Sequence, residues 1–214
     1  MKKIDPLSLE TFNSHITCKP DRLIFVPSLI ASIKAMYGEN HRHYHTLFHL
    51  TDCLEKVLRI LKIDYSQGYL ARQNVYAALF FHDAVYIPGF PENEVLSAKL
   101  ARSCLTKLGV NENYICDIER YILATRHDHA PEKEDEWLVT DIDLSSLAVP
   151  WEVFKGNAEK LAREHRAVCS RGEFIYGQKI FLKRFLARKI FGTYHFTKYE
   201  DLAKENIGRF MYVI

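Results

Sequence analysis

Four of the ten histidines in this 214-residue chain, His41, His43, His45 and His49, fall within nine residues. Two further chemical spots lie downstream, the pair His82-Asp83 and the run Asp141-Ile142-Asp143. Imidazole nitrogens and carboxylate oxygens together suit a divalent Mn, Fe, Co, Ni or Zn, with Mg added where phosphate oxygens and water complete the shell. The carboxylates sit in apolar surroundings, where an ionised Asp without a partner costs several kcal/mol. Asp83 and one of Asp141 or Asp143 must therefore be paired, hydrogen-bonded, neutralised or bound to a cation. On a helix His82 and Asp83 point about 100° apart, so they serve one ion only from the helix edge.

The elements that must position these groups read as helices throughout, with no alternating strand pattern. Pro27 opens a helix whose stripe is Leu29, Ile30, Ile33 and Met36 and which stops at Gly38. Tyr44 to Ile63 is amphipathic, with His45 and His49 one turn apart beside its apolar stripe. Leu70 to Tyr86 is apolar almost all round, as expected for a helix at the centre of a bundle. After a Pro- and Gly-containing loop, Asn93 caps a helix to Leu108, stopped by Gly109, and Tyr114 to Arg126 makes the next. Asp128 to Glu136 is an acidic surface stretch, and Trp137 to Ala148 returns to a buried pattern. Helices over Trp151 to Cys169, Glu173 to Phe191 and Tyr199 to the end complete the chain, the last with a Thr197/Glu200 capping box. Lys179, Lys183, Arg184, Arg188 and Lys189 read as the solvated face of the helix that carries them. The expectation is an all-α fold of eight to nine helices in one domain spanning 1–214.

The order of motifs resembles the HD superfamily of metal-dependent phosphohydrolases, H…HD…D: His49, then His82-Asp83, then Asp141-Ile-Asp143-Leu144. The likeness is closer to a bacterial subfamily with R-x-Y-H-T-x-x-H, F-H-D-A-V-Y, N-E-x-x-S-A and D-x-D-L signatures. Here these read Arg42 to His49, Phe81 to Tyr86, Asn93 to Ala98 and Asp141 to Leu144, with Arg163-Glu164 and Phe174 to Gly177 also similar. The resemblance extends over about 37–207. It implies an HD-type helical domain holding one divalent metal (Mn, Mg, Co, Ni, Fe or Zn) with His49, His82, Asp83 and Asp143, Asp141 being the alternative to Asp143. It also implies hydrolysis of a phosphate ester of a nucleotide or another small phosphorylated metabolite. Glu94 and His45 are candidates for the acid or base, although Asn93-Glu94 reads equally as a helix start. Arg42, Arg163 and His127 are candidates for substrate contact, although His127, like His129, reads first as a solvated residue at a helix end, and His41 and His43 are expected at the surface. Gln178 departs from the pattern, which carries Arg after the glycine. Two alternatives use the same scaffold: a non-catalytic metal- or nucleotide-binding sensor, and a di-iron oxygenase that needs His127.

Composition limits the partners. With 48% apolar residues the chain is expected to fold, and 29 basic against 27 acidic residues give a net charge of +2 without a field for nucleic acid polymers or an anionic membrane. Five cysteines without a C-x-x-C pair suit reduced thiols filling the core of a cytoplasmic protein. The charged start, Met-Lys-Lys-Ile-Asp-Pro, leads into no apolar segment of the export type. The expected ligand is thus a small phosphorylated molecule, and the pattern leaves room for a homo-oligomer.

Overall fold

The computed structural model describes residues 5–16, 26–63 and 69–213. Cys18, the charged start Met1 to Ile4 and Ile214 lie outside them. Among the described residues the regular structure is helical, as expected, with no strand. The described residues form ten α-helices: α1 (Leu9–His15), α2 (Val26–Tyr37), α3 (Leu47–Ile63), α4 (Tyr69–Phe81), α5 (Asn93–Lys107), α6 (Glu112–Ala124), α7 (Glu134–Leu144), α8 (Trp151–Glu164), α9 (Arg171–Leu186) and α10 (Glu200–Val213). The sequence pattern did not disclose α1, which Ser8 caps through Thr11 N–H and which seats Phe12 edge-on against Phe80.

Helix α4 is the axis of the bundle, packed by α1, α3, α5, α6 and α7. From Val75 to Phe81 it is buried on every side, as its uninterrupted apolar run implies. Burial of Phe80 and Phe81 alone stabilises the fold by about 1.5–3 kcal/mol each. Gly109, at φ 71°, turns the chain from α5 back along α6. A second group of helices, α8, α9 and α10, closes over the 3-10 turn Ser145–Ala148 that follows α7.

Several expected helix ends are displaced, each because a side chain from elsewhere in the chain captures the backbone. Helix α3 begins at Leu47 instead of Tyr44. The N–H groups of His43, Tyr44 and His45 all donate to Glu164 Oε1, at 2.7, 2.8 and 2.9 Å, which bends these residues into a turn. Helix α4 stops at Phe81, so His82 and Asp83 occupy the turn beyond it. There Asp83 N–H donates to the Tyr37 hydroxyl, and Arg42 holds the Asp83 and Ala84 carbonyls. Helix α9 stops at Leu186 and not at Phe191: Glu200 accepts from the N–H groups of Ile190 and Phe191, and Asp141 from those of Gly192 and Thr193. Glu200 is thereby engaged away from the expected Thr197 capping box. Gly192 is a close-approach position, where an added Cβ would stand 2.0 Å from the Trp137 ring. Among the described residues the four thiols are free; Cys53 is buried in the core, Cys104 and Cys169 are half-buried and Cys116 is exposed.

Candidate metal centre and cleft

His49 occupies the first turn of α3, His82 and Asp83 the turn after α4, and Asp143 the last turn of α7. Their side chains meet at one point. His49 Nε2 lies 3.2 Å from His82 Nε2, 3.5 Å from Asp83 Oδ2 and 3.2 Å from Asp143 Oδ1. His82 Nε2 lies 3.0 Å from Asp83 Oδ2 and 3.5 Å from Asp143 Oδ1. A cation bonded at about 2.1 Å sets its donors about 3.0 Å apart at right angles and about 3.4 Å apart at tetrahedral angles. The donor spacing therefore fits one ion.

Leaving the helix is what makes this convergence available to His82 and Asp83, since in a turn adjacent side chains are not held 100° apart. His82 Nδ1 lies 2.8 Å from the Leu79 carbonyl oxygen. A carbonyl only accepts, so Nδ1 carries the hydrogen and Nε2 faces the cluster, the usual second-contact arrangement of a ligating histidine. Asp143 is held from its other side by His127, whose Nε2 lies 2.8 Å from Oδ2. His127 itself adopts a left-handed backbone, φ 57°, its carbonyl taken by Arg188 at 2.7 Å.

The electrostatics follow from this crowding. Burial alone opposes an imidazolium at His49, but Cys53, Tyr44 and the Asp143 and Asp83 carboxylates outweigh it, and the group is raised well above its ordinary value. His82 is raised likewise, Asp83 leading against its burial. Burial would raise Asp83 and Asp143; the histidines around them, His82 first for Asp83 and His127 first for Asp143, hold both well below the usual carboxylate range. The cluster thus gathers positive charge between its two carboxylates, as protons or as a cation.

Asp141 is not part of it. Its carboxylate accepts from Gly192 N–H at 2.8 Å, Thr193 N–H at 2.7 Å and the Thr193 hydroxyl at 2.6 Å, and burial raises its pKa. It fastens the segment after α9 to α7. Cys53, among the thiols expected to fill the core, places its Sγ 3.8 Å from His49 Nε2. With His49, His82 and Asp143 it forms a donor group whose atoms lie within 4.8 Å of one another. The four-residue step from His49 to Cys53 was the available signal.

The cluster opens into a cleft of 590 Å³ whose walls come from the turns around Asp83 and Asp143, the 89–94 segment, the 126–128 loop and α9. Glu94 and His45 both line it. Burial, with Asp83 as a further cause, raises the Glu94 carboxyl, and among the described residues it bonds to no other side chain. Its neighbours in the N-E-x-x-S-A run explain the rest of that motif. Asn93 holds both the N–H and the carbonyl of Ile87, at 2.9 and 3.0 Å, and Ser97 meets Val85 N–H at 3.1 Å. Asn93 does not cap α5; Glu92 holds the N-cap position.

His45, in the turn before α3 and not on it, places Nδ1 2.8 Å from Glu164 Oε2. Glu164 is 2% exposed and also accepts from the Tyr86 hydroxyl at 2.9 Å. Burial would raise its carboxyl, but the His45 imidazole and the backbone N–H groups hold it down at about 2.

Neither arginine candidate for substrate contact is in the cleft. Arg42 is buried, sandwiched by the Tyr37 and Tyr86 rings, and donates to the carbonyls of Asp83, Ala84 and His45. Arg163 is exposed and does not line the cleft. The arginines that do are Arg126 and Arg184, at 3.1 and 3.7 Å from the Asp128 carboxylate. Arg184 and Arg188, expected on a solvated face, therefore serve the cleft and the His127 loop, while Lys179 donates to the Met211 carbonyl. Gln178 lines the cleft, and so does His165, which sequence reasoning did not single out. His41, His43 and His129 are exposed, as expected.

No helix among the described residues is long and apolar enough to cross a membrane. No protein-family model, curated protein or solved structure matches this chain.

Proposed function

We propose that the chain is an HD-type metal-dependent phosphohydrolase acting on a phosphate ester of a nucleotide or another small phosphorylated metabolite. The observation that carries this reading is the meeting of His49, His82, Asp83 and Asp143, the two imidazole nitrogens standing 3.0–3.5 Å from each other and from the two carboxylates, at the edge of an open cleft. These four would hold one divalent cation, and Cys53 stands close enough to favour Zn or Fe over Mg at the same place. When bound, such an ion polarises a phosphoryl group and lowers the pKa of water.

The chain's own residues do the rest. His127 keeps Asp143 turned toward the cluster. Arg126 and Arg184 offer planar donors to an anion entering past Asp128. Glu94, a cleft carboxylate without a side-chain partner among the described residues, accepts a proton from the attacking water. Phe90, Phe174 and Phe181 supply apolar wall for the organic part of the ester.

The test is metal analysis of protein purified without chelator, followed by a phosphatase screen over a nucleotide panel with Mn, Mg, Co, Ni, Fe and Zn. Metal-dependent release of phosphate supports the proposal. Tight nucleotide binding without turnover replaces it with the sensor reading. The contact between His127 and Asp143 keeps the di-iron oxygenase in view, and anaerobic iron reconstitution with optical spectroscopy separates it.

A further inference from the structure

We infer that Glu164 is a positioning residue that orients His45 as the proton donor to the leaving oxygen of the ester, an inference that rests on the phosphohydrolase reading. Glu164 lies at the end of α8, 119 to 121 residues from the turn that precedes α3, yet it organises that turn. One of its oxygens receives three consecutive backbone N–H groups, from His43, Tyr44 and His45. The other receives His45 Nδ1 at 2.8 Å and the Tyr86 hydroxyl at 2.9 Å. Five donors on one buried carboxylate fix both the path of the turn and the orientation of the imidazole.

A carboxylate held ionised only accepts, so the hydrogen of this contact resides on His45 Nδ1. The remaining ring nitrogen, Nε2, has no hydrogen-bond partner among the described residues, while the ring lines the cleft together with Asp83 and Asp143. The Tyr86 ring, 4.3 Å away between centroids, and the Tyr44 ring, at 4.9 Å, confine it. A ring so held can turn neither nitrogen for nitrogen nor away from the cleft.

The roles divide by chemistry. Glu94, as a carboxylate, suits the water; His45, with Nδ1 committed to Glu164 and Nε2 without a partner among the described residues, suits the departing oxygen. As the bond from water oxygen to phosphorus forms, the ester P–O bond breaks, and its electron pair stays on the departing oxygen. That oxygen takes the Nε2 hydrogen and leaves as the alcohol. The water gives one proton to Glu94 and its oxygen remains on the phosphate; Glu94 releases that proton to solvent, and solvent returns one to His45.

The experiment compares two esters, an alkyl phosphate whose alkoxide needs a proton and 4-nitrophenyl phosphate whose phenolate does not. His45→Gln and Glu164→Gln should each lower kcat for the alkyl ester by about 10²- to 10⁴-fold, with a loss at least about tenfold smaller for the aryl ester. Metal content, measured on the same samples, should match wild type. Equal losses on both esters, or loss of metal, overturn the assignment. Because Glu164→Gln removes charge from a buried hub and can fail to fold, Tyr86→Phe serves as a milder variant, with the same leaving-group pattern expected in weaker form.

An independent measurement is nitrogen NMR of the wild-type protein, with His45→Gln used for assignment. The neutral His45 ring should carry its hydrogen on Nδ1, the reverse of the preference of free histidine, and an Nε2–H form overturns the positioning role. If metal-loaded wild type hydrolyses neither ester, the phosphohydrolase reading falls and the donor role with it, whereas an Nδ1–H signal in that case still establishes the Glu164 contact.

Discussion

Replacing Arg42 separates a residue that builds the centre from one that binds substrate. Its guanidinium is buried between two tyrosine rings and donates to the Asp83 carbonyl at 2.7 Å, Ala84 at 2.9 Å and His45 at 3.2 Å. In Arg42→Ala the Asp83 and Ala84 carbonyls lose a buried donor, at about 1–3 kcal/mol each. The lost contact with the two rings adds about 0.5–2 kcal/mol. The pair with Glu39, whose side chain is 45% exposed, adds little. The expected loss is about 2.5–8 kcal/mol, a large share of the roughly 5–15 kcal/mol that holds a domain. Arg42→Lys keeps the charge but not the fork, so about 1–3 kcal/mol is expected. Urea unfolding followed by circular dichroism reads both values. A loss under about 0.5 kcal/mol in Arg42→Lys, with a raised KM for a phosphate ester, would refute the reasoning and return Arg42 to the substrate.

Glu94→Gln should retain metal while lowering turnover about 10²- to 10⁴-fold; full turnover removes Glu94 from the mechanism. Asp141→Asn should cost about 1–3 kcal/mol of stability through its contacts with Gly192 and Thr193, without loss of metal; unchanged denaturation would show that these contacts do not hold the segment. For pH, His49 and His82 are raised in the folded chain, so their contribution to metal-free stability is full below about pH 6.5 and fades as pH rises through their folded values. Asp83 and Asp143 are lowered, so theirs is present above about pH 4 and is lost on acidification. A metal needs neutral imidazoles, so the rise in Tm on adding it should be larger at about pH 9 than at about pH 6; equal rises contradict the linkage.

The sequence discloses the helices where apolar spacing is long, as in α3 and α4, because burial imposes the period. It discloses the metal-type residues by their chemistry and order. What it does not disclose is where a helix yields to a side chain far along the chain. His45 was expected on a helix because nothing local shows Glu164 collecting the N–H groups of 43–45. His82 and Asp83 were expected on diverging faces because the capture of their turn by Arg42 and Tyr37 is a tertiary event. The same blindness covers Arg42: an arginine that clamps carbonyls and one that reaches a phosphate look alike in sequence. Asp141 and Asp143, two residues apart, are distinguished only by what each one faces: Asp143 the histidines, Asp141 the backbone of Gly192 and Thr193.

The central claim is that His49, His82, Asp83 and Asp143 form one cation site. Its most direct test is cobalt titration of the chelator-treated protein, followed by optical absorption and elemental analysis, with Asp143→Asn and Asp141→Asn measured beside wild type. One Co per chain in wild type and in Asp141→Asn, and none in Asp143→Asn, is the expected result. Retention of cobalt by Asp143→Asn, or its loss from Asp141→Asn with the fold intact, contradicts the account.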